Sequence, residues 1–271
     1  MLHTINIFDT LKTRTSQVIL KNFELRNFSF VLSILMVFLY AACGQSTTDH
    51  TDNDAHDQPT EEKHEHADHH GKDHIHGQAN EHMHDTPFPE LVKRFESPER
   101  DSYQRPDLVL KALGDLERKK VMDLGAGTGY FSVKFADAGA NVIAADVDLR
   151  FLEYIEDRKS KAGYTDEQLE TRKVPYDSPG LESEEIDLFV IVNTYHHIED
   201  RVAYFAKVKA GLKSDGKAVI IDFFKRDLPV GPSVEMKLAP EEVIKELREA
   251  GFSEFSADTK LLEYQYIITA K

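Results

Sequence analysis

The chain has 271 residues, of which 41% are hydrophobic, the composition of a soluble globular protein with room for a sizeable core. A net charge of −15, with no basic helix or arginine-rich run, argues against a nucleic-acid surface, which needs clustered Lys and Arg. A single cysteine, Cys43, excludes an intramolecular disulfide.

Lys12, Arg14, Lys21 and Arg26 precede an almost unbroken apolar run from Phe28 to Ala42, which ends at Ala41-Ala42-Cys43-Gly44. Basic, then apolar, then small residues is the layout of a secretory signal, and the run is short for a full membrane span. Its end resembles a bacterial lipoprotein signal, in which the cysteine becomes the lipid-bearing first residue, although Tyr40 stands where leucine is usual. The other reading is an uncleaved anchor helix. In both, basic residues before the run and acidic ones after it place the remainder on the extracytoplasmic side, in the periplasm or at the outer membrane. Only an unused leader would leave the chain cytoplasmic.

After this leader (1–42), residues 43–86 read as an acidic, histidine-rich tether. Ten of the 13 histidines fall between Asp49 and Asp85, among Asp and Glu and with almost no large apolar residues. Such a segment cannot bury enough surface to offset its ordering entropy, so the composition predicts a disordered tether. His64, His66, His69, His70, His74, His76, His82 and His84 offer closely spaced imidazoles suited to weak binding of zinc, copper or nickel. No spacing among them predicts a closed tetrahedral site. A solvated acidic linker with no metal role is the plainer alternative.

The folded domain is placed at 87–271, and from about Phe95 the pattern becomes regular. A helix over 106–113 stops near Gly114. A strand at 120–124 leads through glycines into a helix over 130–138. A second strand, 141–145, ends at Asp146 and is followed by a helix over 149–161. A third strand near 170–174 breaks at Pro175. The fourth, 186–192, is apolar almost throughout, as a strand buried on both faces should be. A helix over 202–212, a strand over 218–221 and a helix over 240–250 follow. The end of the chain reads as a hairpin-like pair, 252–257 and 264–270. Alternating strands and helices predict an α/β, Rossmann-like, doubly wound and mostly parallel sheet, here with a C-terminal antiparallel pair. Ligands in such sheets bind beyond the strand C-termini.

The most informative segment is Val121 to Tyr130, in which an apolar run ends in Asp123 and turns through Gly125, Gly127 and Gly129. A strand that turns this tightly into a helix points backbone N–H groups at whatever lies above it, and glycine lets a ligand approach closely. Asp123-Leu124-Gly125-Ala126-Gly127-Thr128-Gly129, Asp146 after the second strand, Asp187 opening the fourth and the terminal antiparallel pair resemble the class I S-adenosylmethionine-dependent methyltransferases. Asn193-Thr194-Tyr195-His196-His197-Ile198, after the fourth strand, is similar to the small-molecule branch related to quinone-biosynthesis C-methyltransferases.

The resemblance implies S-adenosylmethionine as cofactor and an unidentified small-molecule methyl acceptor. Gly125, Ala126, Gly127 and Gly129 would lie against the methionine and ribose, and Asp123 would face the donor's ammonium. Asp146 would accept from both ribose hydroxyls. Asp177 would meet the adenine amino group, and Asn193 also belongs to the implied cofactor set. His196 and His197 sit where the acceptor should bind, and an imidazole that titrates near neutrality can take its proton. Tyr195, Asp222, Tyr264 and Tyr266 are further lining candidates, and 223–238 is the segment expected to cover the acceptor.

Two other readings compete. A nicotinamide dehydrogenase would need Gly-x-Gly-x-x-Gly, whereas these glycines read Gly-x-Gly-x-Gly. An exported, metal-responsive binding module with this fold and no turnover is the second, because S-adenosylmethionine is made in the cytosol while the leader points outward.

Overall fold

The computed structural model describes residues 77–271. They open with four short helices: α1 (Gly77–Asp85), α2 (Phe88–Phe95), α3 (Glu99–Gln104) and α4 (Pro106–Leu113). Alternation follows through β1 (Lys120–Leu124), α5 (Tyr130–Asp137), β2 (Asn141–Asp146), α6 (Leu149–Ala162), β3 (Leu169–Lys173) and β4 (Ile186–Val192). Next come α7 (Arg201–Gly211), β5 (Leu212–Phe223), α8 (Pro240–Glu249), β6 (Phe255–Asp258) and β7 (Gln265–Ala270). Single 3-10 turns stand at Tyr195–His197 and Val234–Met236.

The strands make one seven-stranded sheet in the order β3-β2-β1-β4-β5-β7-β6. β3 through β5 are parallel, and β7 lies antiparallel to both β5 and β6. This is the doubly wound sheet with an antiparallel end that the alternation predicts. Alternating side chains feed two apolar layers, one on each face. Met122 and Leu124 join Phe189, Ile191, Phe205 and Leu247 on one side. Val121 joins Val142, Val190, Phe131 and Phe135 on the other. Burial of this kind on both faces is why β4 tolerates only one polar residue, Asp187, at its entrance. The helices carry ordinary stop and start signals. Asp148 caps α6 by accepting from the Arg150 N–H at 2.9 Å, and Gly163, with φ +80°, ends the same helix.

Two boundaries differ from the sequence reading. Residues Gly77–Asp85, assigned above to the disordered tether, form α1. Average composition misses this because a few contacts hold the helix: buried Asn80 makes two hydrogen bonds to His197. The fifth strand is also longer than expected. The turn-like run Lys213-Ser214-Asp215-Gly216 is a bulge inside β5, which pairs Leu212 with Ile186 and Lys217 with Leu188. Among the described residues, no helix is long and apolar enough to cross a membrane. Cys43 and the leader lie outside the described residues.

Candidate active site

The site forms where β1, β2 and β4 end side by side, with Leu124 in register with both Ala145 and Ile191. The glycine turn folds back over β2: the N–H groups of Gly125 and Ala126 donate to the Ala145 carbonyl at 2.8 and 3.1 Å. Gly125, Gly127 and Gly129 have φ of +69°, +55° and +75°, left-handed values that disfavour any side chain. At Gly125 space forbids one as well, because a Cβ would lie 2.5 Å from the Thr194 side chain. The tight turn therefore brings the first and fourth strand ends together.

Asp146 closes this corner. Its Oδ2 accepts from the Gly127 N–H at 2.9 Å and its Oδ1 from the Asp148 N–H at 3.0 Å. Burial pushes its carboxyl up to about 6, against the opposing pull of those two N–H donors. Each oxygen retains acceptor capacity for a hydroxyl. The glycine turn and this carboxylate line one cleft of about 530 Å³. Val147, Phe151, Val174, Pro175 and Tyr176 supply an apolar side to it. The fit to an adenosyl group is good: a turn of left-handed glycines, a carboxylate able to take two hydroxyls, and apolar surface for a flat ring.

The N-terminal helices form the opposite side. Phe88 and Phe95 pack on Phe151 with ring centroids 5.2 and 5.6 Å apart. Arg100 of α3 lines the cleft, donates to the Phe95 carbonyl at 3.0 Å and lies 4.0 Å from the Tyr130 ring centroid. Burial lowers its pKa from the usual guanidinium value.

At the end of β4, two imidazoles stand with centroids 4.5 Å apart. His196 Nδ1 lies 3.0 Å from Asp222 Oδ2, and both side chains are buried, at 4% and 3% exposure. An ionised carboxylate can only accept here, so Nδ1 carries a proton, and in the neutral ring Nε2 is the acceptor. His197 Nδ1 is 3.0 Å from Asn80 Oδ1, while Asn80 Nδ2 donates to the His197 carbonyl at 3.2 Å. Burial, helped by His196, pushes His197 down to about 3 and keeps it neutral.

Not every expected residue reaches the cleft. Gly125, Ala126, Gly127, Asp146, Asn193, His196 and His197 line it. Asp123 does not: it shares strand parity with Val121, faces α5 and accepts from Ser132 Oγ at 2.6 Å. Burial also raises its carboxyl to about 6. Gly129 caps α5 instead of lining the cleft, and a Cβ there would meet Ile155 at 2.9 Å. Asp177 is exposed, its backbone carbonyl accepts from Lys207 Nζ at 2.7 Å, and the neighbouring Pro175 and Tyr176 occupy the wall.

The amide of Asn193 is spent within the protein, in a ring with Gln104 and Gln265. Tyr195 and Tyr266 are buried in the core and bonded to Glu246 and to the Leu238 carbonyl, while Tyr264 stands clear of the cleft wall. Asp222 acts one step back, through His196.

Sequence reasoning missed Asn80, Arg100, Gln104 and Thr194. Their partners lie 117, 89 and 161 residues away for the hydrogen-bonded pairs Asn80–His197, Gln104–Asn193 and Gln104–Gln265, beyond any local periodicity. Of the tether histidines, His84 is exposed at the cleft rim. His64, His66, His69, His70, His74, His76 and the side chain of His82 lie outside the described residues. Among the described residues, no group of three or more His, Cys, Asp or Glu side chains is arranged to hold a metal.

Strand order, glycine turn and carboxylate together define the class I methyltransferase architecture. Residues 122–220 match the family model described as Methyltransferase domain. Over this stretch the chain is similar to the class I S-adenosylmethionine-dependent methyltransferases. It is 28% identical over 114 residues to a ubiquinone biosynthesis O-methyltransferase of Actinobacillus pleuropneumoniae, a match covering 41% of this chain and 49% of that protein. The chain thus spans about half the length of that relative.

To an uncharacterized methyltransferase of Geobacillus kaustophilus it is 27% identical over 188 residues, covering 67% of this chain and 77% of the other. The crystal structure of a SAM dependent methyltransferase from Aquifex aeolicus shares the fold, with a TM-score of 0.62 and 24% identity over 67% of this chain and 97% of that one. The sequence resemblance had pointed toward C-methyltransferases, whereas the Actinobacillus relative is named for transfer to oxygen.

Proposed function

We propose that this chain transfers a methyl group from S-adenosylmethionine to a small-molecule acceptor that must lose a proton. The observation that carries the reading is the 2.9 Å contact between Gly127 N–H and Asp146 within one cleft, which supports a single adenosyl pocket. Bound there, the donor supplies an electrophilic methyl on a sulfonium. Asp146 would accept the ribose hydroxyls, the glycine backbone would lie against the methionine portion, and Arg100 would offer its guanidinium to the carboxylate.

His196, oriented by Asp222 through Nδ1, would take the acceptor's proton at Nε2 as the nucleophile bonds to the methyl carbon. The carbon–sulfur electron pair leaves with sulfur, so the products are a methylated acceptor, a thioether and an imidazolium. Alignment of nucleophile, methyl and sulfur can contribute up to roughly 7–11 kcal/mol in such reactions. A crystal soaked with S-adenosylhomocysteine tests the pocket. Adenosine against Gly127 and Asp146 is expected, and density elsewhere overturns the reading.

We also infer that the chain is exported and lipidated at Cys43, on the strength of the basic, apolar and small-residue order before it. Radiolabelled palmitate should enter the wild-type chain but not Cys43→Ser; equal labelling would remove the lipoprotein reading. The histidine tract would then bind zinc, copper or nickel weakly on the outside of the membrane, and titration of the full chain with zinc at neutral pH tests it.

A further inference from the structure

A second cavity, of about 590 Å³, adjoins the donor cleft and shares His196, His197, Ile198 and Met236 with it. Among its lining groups, Lys237 is anomalous. It is 3% exposed, and among the described residues its hydrogen bond is to the Arg226 carbonyl at 2.9 Å. An ammonium has three donors, and a buried one without a carboxylate partner is costly.

The cavity's own carboxylates do not meet this demand. Glu242 pairs with Lys225 at 3.1 Å, and Glu246 with Arg201 at 2.7 Å and with the Tyr195 hydroxyl. Glu199 and Glu235 are exposed to solvent, and Glu235 feels the charge of Lys237 through space without forming a close ion pair with it. Phe223, whose ring centroid is 6.0 Å from Lys237 Nζ, belongs to the wall of the donor cleft, so the ammonium stands close to both chambers. Lys237 and the proposed base His196 line the same cavity.

We propose that the methyl acceptor is a small organic acid: its carboxylate-class anion occupies the second cavity against Lys237, and its hydroxyl or thiol faces His196. This rests on the methyl-transfer reading and narrows it. The anion would give Lys237 a direct carboxylate partner, and it would fix which end of the acceptor meets the methyl group. Met236 and Leu238 in the same lining accommodate the apolar body between the two polar ends. No chemistry occurs at Lys237 itself, which binds and orients.

The test is calorimetry on the full chain saturated with S-adenosylhomocysteine, using 4-hydroxybenzoate, salicylate and 3-mercaptopropionate, each against its carboxamide. In at least one pair the acid should bind about tenfold or more tighter than the amide, the range expected of a charge-assisted bond. The preference should shrink to within about threefold in Lys237→Gln and persist in Lys237→Arg. Thermal melts and S-adenosylhomocysteine binding check that the variants fold. If Lys237→Gln does not fold, the acid–amide comparison in the wild-type chain decides alone. No acid preference in any pair, or a preference that survives Lys237→Gln unchanged, overturns the proposal. S-adenosylhomocysteine binding with no acid preference sinks this inference only, whereas no S-adenosylhomocysteine binding sinks the donor pocket beneath it.

Discussion

The two ends of the cleft are held by different kinds of structure. At β1 and β2 the groups that matter are mostly backbone: two left-handed glycines, Gly125 and Gly127, two N–H bonds to Ala145, and one carboxylate tied to Gly127. At β4 and β5 they are side chains tied to side chains: His196 to Asp222, His197 to Asn80, and Asn193 to Gln104 and Gln265. A backbone-built wall suits a ligand common to a whole family. A wall of paired side chains can be exchanged residue by residue to suit a particular acceptor. Donor recognition and acceptor chemistry should therefore be separable by mutation.

The largest expected effect comes from the side-chain wall. His196→Asn should lower turnover by about 10²–10⁴, the usual contribution of a positioned base, while S-adenosylhomocysteine affinity stays the same. Asp222→Asn should lose much of the same activity, because an amide can present its NH₂ to Nδ1 and favour the wrong tautomer. Parallel loss of donor affinity in either variant would break the proposed division between the two ends.

A smaller effect should come from pH and belong to the backbone wall. Asp146 must be ionised to accept from two hydroxyls, and burial places its carboxyl at about 6. Donor-product affinity should be full above neutrality and fall as pH drops through about 6, by roughly tenfold per unit below it. Asp146→Asn should flatten this profile; an unchanged slope would assign it to another group. His197 gives the opposite kind of signal, one of stability. Its pKa is lowered in the fold, so its contribution is present above the unfolded imidazole value near 6.5 and lost as pH falls below it toward about 3. Melting curves of His197→Asn should therefore decline less than wild type between neutrality and mild acid.

The smallest effect expected is at Asn80. Asn80→Ala removes two hydrogen bonds to His197 and should cost about 1–2 kcal/mol of stability, read as a modest drop in melting temperature. No change would mean that α1 is not held to the histidine turn in the way its contacts indicate.

The sheet and the backbone wall were legible in the sequence because both are local. Strand-then-glycine and strand-then-aspartate are short patterns, and parallel topology brings them together without further information. The side-chain wall was only half legible. The imidazoles could be placed at a strand end, but the partner of His196 is 26 residues on, in β5, and that of His197 is 117 residues back, in α1. Asp177 is exposed outside the cleft wall, and position in a loop does not say which way a side chain faces. Asp123 lies behind the cleft wall because strand parity turns it toward Ser132. Lys237 sits in a segment with no periodic pattern, so nothing in the sequence marks it as buried.

Titration calorimetry of the full-length chain with S-adenosylhomocysteine, in wild type and Asp146→Ala, tests the donor pocket most directly. We expect measurable binding by wild type and at least about tenfold weaker binding by the variant, in line with the 1.5–3 kcal/mol of hydrogen bonds to a charged group. Equal affinities, or no heat with the wild-type protein, would contradict the account.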